Sequence, residues 1–355
     1  LELLSLVVVL VLASACGAPA APSTPTTLPT PEPAALTVMT HDSFAATESV
    51  IQAFEQANNA RVQILESGDA GAMVTKAILS RDAPLADVLY GVDNTFLSRA
   101  LDAGIFEPYA SPALDTVAPE FKLDPENRAL PVDYGDVCLN YDKAWFAEKN
   151  LAPPQTLEDL TQPEYKGLLV VENPATSSPG LAFLLATVAR FGIDKFLDYW
   201  EQLRVNDVKV VDGWETAYYT AFSGSSGRGP RPLVVSYASS PPAEVIFADP
   251  RPDEAPTASV VGPGACFRQI EFVGILQGTQ NRALAEKWVD FMLSEPFQSD
   301  MPLQMFVFPV NPSARLPEEF VTWAQIPAQP ASLSPADIAA HREEWIEAWT
   351  ETVLR

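Results

Sequence analysis

Three observations predict an α/β protein built as two lobes. From Leu36 onward, short apolar runs alternate with amphipathic stretches, the pattern of βα units around parallel sheets. The length of 355 residues allows two domains, each large enough to bury its own core. Five loops that follow strand ends carry an unusual mixture of carboxylates, hydroxyls and aromatics, and open α/β sheets bind ligands at such ends.

The elements follow in order. Residues 3–15 (LLSLVVVLVLASA) are too short to span a bilayer, which takes about 20 apolar residues. They suit the core of a secretory signal over residues 1–16. Ala13-Ser14-Ala15-Cys16 resembles a bacterial lipobox, which makes Cys16 the expected lipidation site and the lipid the sole membrane anchor. Residues 17–35 hold six prolines and are expected to form an extended tether. Strands are expected at 35–40, 61–67, 86–91, 133–142, 168–173, 208–212, 232–237 and 270–276. Helices are expected at 46–59, through Met73 and Ile78, after Asp93 as N-cap, at 283–294 and at about 335–354. Crossover points near 132 and 270 divide the body. Residues 36–131 and 270–302 form lobe 1, while 132–269 and 303–355, with the C-terminal helix, form lobe 2.

Composition excludes several functions. The chain has 22 Lys plus Arg against 46 Asp plus Glu, a net charge of −24, so it has no basic face for nucleic acid. Two histidines and three cysteines cannot build a His-rich or Cys-rich metal site, and no cofactor is expected. Cys138 and Cys266 either pair in an oxidising compartment or stay as buried thiols. His41 stands beside Asp42, but no G-x-S-x-G elbow completes a hydrolase triad.

The five loops are Thr40–Ser43, Gly68–Gly71, Asn173–Gly180, Asp212–Trp214 and Tyr237–Pro241. The first two belong to lobe 1 and the others to lobe 2, so a cleft between the lobes is their natural meeting point. Each candidate also has a plainer role. Trp214 opens an apolar helix and would serve equally as core, and Tyr237 ends a strand where half-burial is ordinary. Asp69 is a natural helix N-cap, and the two jobs are compatible.

The segments TVMTHDSFA, ADVLYGVDN, PVDYGDVCLNYDK, NPATSSPGLAFLL, VDGWETAYY, SYASSPP and CFRQIEFVGILQGTQ, in that order, resemble type II periplasmic substrate-binding proteins, specifically the thiamine-binding proteins of ABC importers. The resemblance implies a two-lobed type II fold with two hinge-crossing strands that closes on its ligand without catalysis. It implies thiamine or a thiamine phosphate as ligand, and an ABC permease with its ATPase as partners. It places Trp214 and Tyr237 against the ligand, with Asp69 as a nearby carboxylate and Ser177 as a hydroxyl contact. The full candidate set is His41, Asp42, Ser43, Asp69, Ala70, Ser177, Trp214, Tyr237, Ser239, Ser240 and Phe306. Helix starts after Ser177 and Ser240 would suit a phosphate. Three positions depart from the pattern: His41 and Ala243 stand where Tyr is usual, and Phe306 where Trp is expected. These changes point to weaker thiamine binding or to a related ligand such as a pyrimidine precursor. Two alternatives stand beside this reading. Adjacent Tyr218 and Tyr219 resemble the tyrosine pair of ferric-ion-binding proteins, although consecutive helical side chains diverge by about 100°. A cleft glycoside hydrolase would need paired carboxylates, and only Asp42 and Asp69 stand near strand ends.

Overall fold

The expected strands form close to their anticipated ends, because apolar β-branched runs bury better in a sheet than in water. The structure is a computed structural model that describes residues 32–226 and 228–355. The signal, the lipobox with Cys16 and most of the tether lie outside the described residues.

The strands are β1 (Ala34–Thr40), β2 (Ala60–Glu66), β3 (Val88–Asp93), β4 (Phe106–Glu107), β5 (Leu130–Asp142), β6 (Leu169–Glu172), β7 (Lys209–Val211), β8 (Leu233–Tyr237), β9 (Thr257–Val260), β10 (Phe267–Leu276) and β11 (Phe308–Pro309). Helices are α1 (Glu48–Asn58), α2 (Ala70–Leu79), α3 (Leu97–Asp102), α4 (Lys143–Lys149), α5 (Ser178–Phe191), α6 (Phe196–Val205), α7 (Ala243–Ile246), α8 (Arg282–Met292), α9 (Glu295–Gln304), α10 (Glu318–Trp323) and α11 (Pro335–Val353).

Hydrogen bonding runs through the order β2-β1-β3-β10-β5-β8-β6-β7. The outer pairs are parallel, β1 with β2 and β3 at one end, and β6 with β7 and β8 at the other. The middle is antiparallel, so the parallel pairs of the two lobes are joined into one mixed sheet. The reason lies in the two long strands. β5 pairs with β10 over Leu130–Val137 and then with β8 over Val137–Tyr141. β10 pairs with β5 from Phe267 to Val273 and with β3 from Glu271 to Ile275. Both strands cross from one lobe to the other side by side, so the ladder never breaks. Register shifts fall at Glu271/Phe272 and Phe272/Val273, at the crossing itself, where bulges bend and twist strands. Cys138 and Cys266 are paired, with Cα atoms 4.4 Å apart, and tie the two crossing strands together.

Lobe 1 packs α1, α8 and α9 on its sheet around Phe54, Trp288 and Phe297, all buried. Burying each such side chain stabilises by roughly 1.5–3 kcal/mol. In lobe 2, Trp200 of α6 stands edge-on both to Phe183 of α5 and, at 5.4 Å, to Trp349 of α11. The same helix α11 reaches the other lobe: buried Arg342 donates to Thr95 O (3.2 Å) and Ser98 Oγ (2.9 Å) beside α3. Asp93 does not cap a helix directly, as the sequence suggested. Helix α3 starts later, at Leu97, and Asp93 Oδ1 instead accepts from Thr95 N (2.6 Å) and Thr95 Oγ1 (2.5 Å) in the turn before it. The residues after Trp214 also differ from the expected α-helix, winding as a six-residue π-helix over Thr216–Ala221. Such wider turns gather at functional sites.

Candidate ligand-binding cleft

Strand alternation gives the crossing ribbon two faces. Tyr134, Asp136 and Arg268 share one face. There Arg268 makes a bidentate pair with Asp136 (2.9 and 2.8 Å) and covers the Tyr134 ring. Asp133, Gly135, Gln269 and Glu271 share the other face, which floors the cleft. Such polar residues inside a buried ribbon require partners, and most find them. The Tyr237 hydroxyl donates to Gln269 Oε1 (2.8 Å), and Gln269 Nε2 donates to Asp93 Oδ2 (2.6 Å). A polar chain thus runs from lobe 2 to lobe 1. Gly135 is required here, since a Cβ would sit 2.9 Å from the Tyr237 ring.

A second chain involves Tyr90, whose hydroxyl lies 2.6 Å from Asp133 Oδ2 and 2.9 Å from Glu271 Oε2. One phenol supplies only one proton, so the three groups need another. Burial, then Glu271, pushes Asp133 well above the ordinary carboxyl value, the direction that favours a proton there. Burial also works against the Glu271 charge, but His41, Tyr90 and Asp133 outweigh it and keep Glu271 ionised. His41 Nε2 stands 3.6 Å from Glu271 Oε1. Burial disfavours its cation, yet Glu271, Asp69 and Asp42 raise it above the usual histidine value. Gly91, with φ +99°, makes room: a Cβ there would lie 2.3 Å from the His41 ring.

Above this floor is a cavity of about 240 Å³. One wall carries His41, Asp42, Ser43 and Phe44 after β1, with Asp69 and Ala70 at the start of α2. The facing wall carries Trp214, Tyr218, Tyr219 and Tyr237, with Ser178, Pro179 and Ser240 beside them. Glu271 reaches it from the floor, and Gln304–Val307, including Phe306, complete the rim. The two walls meet at Asp69. Its Oδ1 accepts from Ala70 N (2.6 Å) and from Ser178 N (3.3 Å), and its Oδ2 from Trp214 N (3.0 Å). One carboxylate caps its own helix and ties down two segments of the opposite lobe, while burial raises its pKa. Trp214 stacks on Tyr218 (4.9 Å, 18°), meets Tyr219 edge-on, and donates its indole N–H to Ser236 Oγ at 2.9 Å.

All five loops therefore reach one cavity. Of the residues singled out from sequence, His41, Asp42, Ser43, Asp69, Ala70, Trp214, Tyr237, Ser240 and Phe306 line it. Ser177 and Ser239 do not; both are fully buried. Their neighbours Ser178 and Ser240 take the lining positions. The floor of Asp133, Gln269 and Glu271 was missed, although its signal was present. Polar residues at alternate positions of otherwise apolar strands mark a buried polar face.

A curled mixed sheet, two crossing strands and a single cleft between lobes define a solute-binding architecture. The chain belongs to the bacterial extracellular solute-binding proteins, a family that matches residues 83–327. It is 31% identical to the thiamine-binding periplasmic protein of Salmonella typhimurium, over 90% of this chain and 94% of that one. A solved periplasmic thiamin binding protein superposes with a TM-score of 0.78 at 28% identity, covering 90% of this chain and 96% of its own. The ferric binding protein from Campylobacter jejuni superposes at 0.72 with 17% identity, over 89% and 99%, which shows a shared fold.

Proposed function

We propose that this chain captures thiamine in the interlobe cavity outside the cytoplasmic membrane and delivers it to the permease of an ABC importer. The observation that carries this reading is the pairing of an aromatic wall with a carboxylate wall around one small cavity. Thiamine joins a flat aminopyrimidine to a permanently cationic thiazolium. Aromatic faces attract such a cation by ~0.5–2 kcal/mol each, and the carboxylates add charge complementarity. The thiamine-binding relatives support the same ligand. A ferric-ion role is disfavoured by the adjacent tyrosines: Tyr218 is buried under Trp214, while Tyr219 turns edge-on to it. Lipidation at Cys16 would hold the protein at the membrane surface, and Cys16→Ser would then release it to the soluble fraction. The test of function is a titration of intrinsic fluorescence with thiamine, Fe(III) and a sugar panel. Thiamine alone should quench tryptophan at submicromolar concentration; quenching by Fe(III) instead would overturn the reading.

A further inference from the structure

The C-terminal helix α11 belongs to lobe 2, where Trp349 packs against Trp200 of α6. Its buried residues are Ile338, Arg342, Trp345, Ile346 and Trp349, one stripe at helical spacing. An arginine in an apolar stripe is unfavourable, because burial works against its charge. An apolar side chain would pack there without that penalty. Arg342 Nε turns to the exposed Glu343 at 3.2 Å. Its Nη1 instead points inward to lobe 1, where it donates to Thr95 O and Ser98 Oγ. The guanidinium also lies 5.9 Å from the centre of the buried Phe96 ring, within cation–π reach. Helix α11 therefore grips one turn of lobe 1, residues 93–98.

That turn reaches the cleft by two routes. On the first, Asp93 Oδ2 accepts from Gln269 Nε2, and Gln269 Oε1 accepts from the Tyr237 hydroxyl on the aromatic wall. Asn94 fixes the same stretch of β10. Its side chain donates to Arg268 O (3.1 Å) and accepts from Ile270 N (3.0 Å), one residue to either side of Gln269. On the second route, the Phe96 ring abuts the first turn of α2, where a Cβ at Gly71 would lie 2.9 Å from its Cζ. Asp69 caps that same helix. The turn is thus joined to both walls, to Tyr237 by hydrogen bonds and to Asp69 by packing.

We infer that Arg342 is a positioning residue for the cleft: acting through the turn 93–98, it sets the alignment of Tyr237 with the Asp69 wall and so the hold on the ligand. It does not line the cavity itself. Packing alone asks for no charge at this point of α11, whereas a donor that must reach a carbonyl and a hydroxyl of the other lobe does. The proposal rests on the thiamine reading above, which supplies its probe.

The experiment is calorimetric titration of the full chain with thiamine, beside melting curves of the ligand-free protein. Arg342→Met keeps an apolar stem and removes the donors, and should weaken thiamine binding about tenfold. Arg342→Lys, which keeps a charged donor, should restore affinity to within about threefold of the native chain. Combined with Tyr237→Phe, Arg342→Met should weaken binding by less than the product of the two separate losses, because both act on one hydrogen-bonded chain. Ser98→Ala removes one acceptor and leaves the arginine in place; it should weaken binding about threefold and stands in if Arg342→Met does not fold. Normal affinity in Arg342→Met, or in Ser98→Ala where it stands in, with only the melting temperature lowered, would overturn the proposal and leave the thiamine reading intact. Losses that multiply in full with Tyr237→Phe would overturn it too. A native chain that binds no thiamine would overturn the thiamine reading, and the proposal with it.

Discussion

The two walls of the cleft are built from different chemistry. The wall after β1 and β2 presents His41, Asp42 and Asp69; burial raises the Asp69 carboxyl, and against burial the carboxylates around His41 raise its imidazole. The wall after β7 and β8 presents Trp214, Tyr218, Tyr219 and Tyr237, rings that stack or stand edge-on in a fixed cluster. Attraction by charge reaches several ångströms and tolerates imprecise placement, whereas stacking needs a surface within contact distance. On the function proposed above, one lobe attracts and the other shapes, and a flat cation is selected where both face the same space.

Substitutions that break one wall at a time sharpen this comparison. The largest effect is expected at Asp69, the group that serves both walls. Asp69→Ala leaves three backbone donors without their acceptor and should cost about 3 kcal/mol of apo stability, measured by urea unfolding. Asp42→Ala, an exposed neighbour on the same wall, should cost under about 0.5 kcal/mol. Equal losses would remove the argument that Asp69 joins the lobes.

On the aromatic wall, Trp214→Ala should weaken thiamine binding by about 2 kcal/mol, read by calorimetry. The ring also packs on Tyr218 and bonds Ser236, so the ligand-free melting temperature should fall by several degrees too. A lowered melting temperature with normal affinity would make Trp214 core alone. Tyr237→Phe keeps the ring and strands Gln269 Oε1, for an expected loss of about 1 kcal/mol in stability and a milder change in affinity than at Trp214.

The smallest effect is a pH dependence confined to the charged wall. His41 is held above the ordinary 6.5 once its neighbouring carboxylates outweigh burial. Its pairing with Glu271 therefore stabilises fully below that value and is lost as pH rises through the raised one. Melting temperature should decline over that upper window in the native protein, and His41→Gln should flatten the decline. An unchanged slope would place its origin elsewhere.

Much of this molecule was legible in its sequence because its elements are locally self-consistent. The strand at VLYGVD and the helix at RALAEKWVDFM follow their own periodicity, and the five loops announced themselves by composition. The floor was only partly legible: alternate polar residues mark a buried face in each strand, but what that face meets depends on pairing between strands more than a hundred residues apart. Asp133 opposite Glu271 is unremarkable in either segment alone. The π-helix at Thr216–Ala221 was hidden for a similar reason. Its apolar spacing reads as an α-helix, whereas the wider turn observed there accompanies Tyr218 stacked on Trp214. Ser177 and Ser239 lie buried beside Ser178 and Ser240, which line the cavity, since composition names a loop but not which of its side chains faces the space.

The bond between Cys138 and Cys266 has a topological consequence. It closes a covalent ring whose ends are 128 residues apart, and β6, β7, β8 and β9 all lie inside it. In chain-entropy terms a ring of that size removes roughly 5 kcal/mol of freedom from the unfolded state. The rest of the protein leaves the ring as two tails from adjacent points. One tail carries β1 to β4 with most of β5 and the other carries all of β10 with α8 and α9, so the pieces of lobe 1, distant along the chain, begin as neighbours. Once the ring is shut, pairing β3 with β10 spans a short path instead of a long one, and the search that joins them is correspondingly brief.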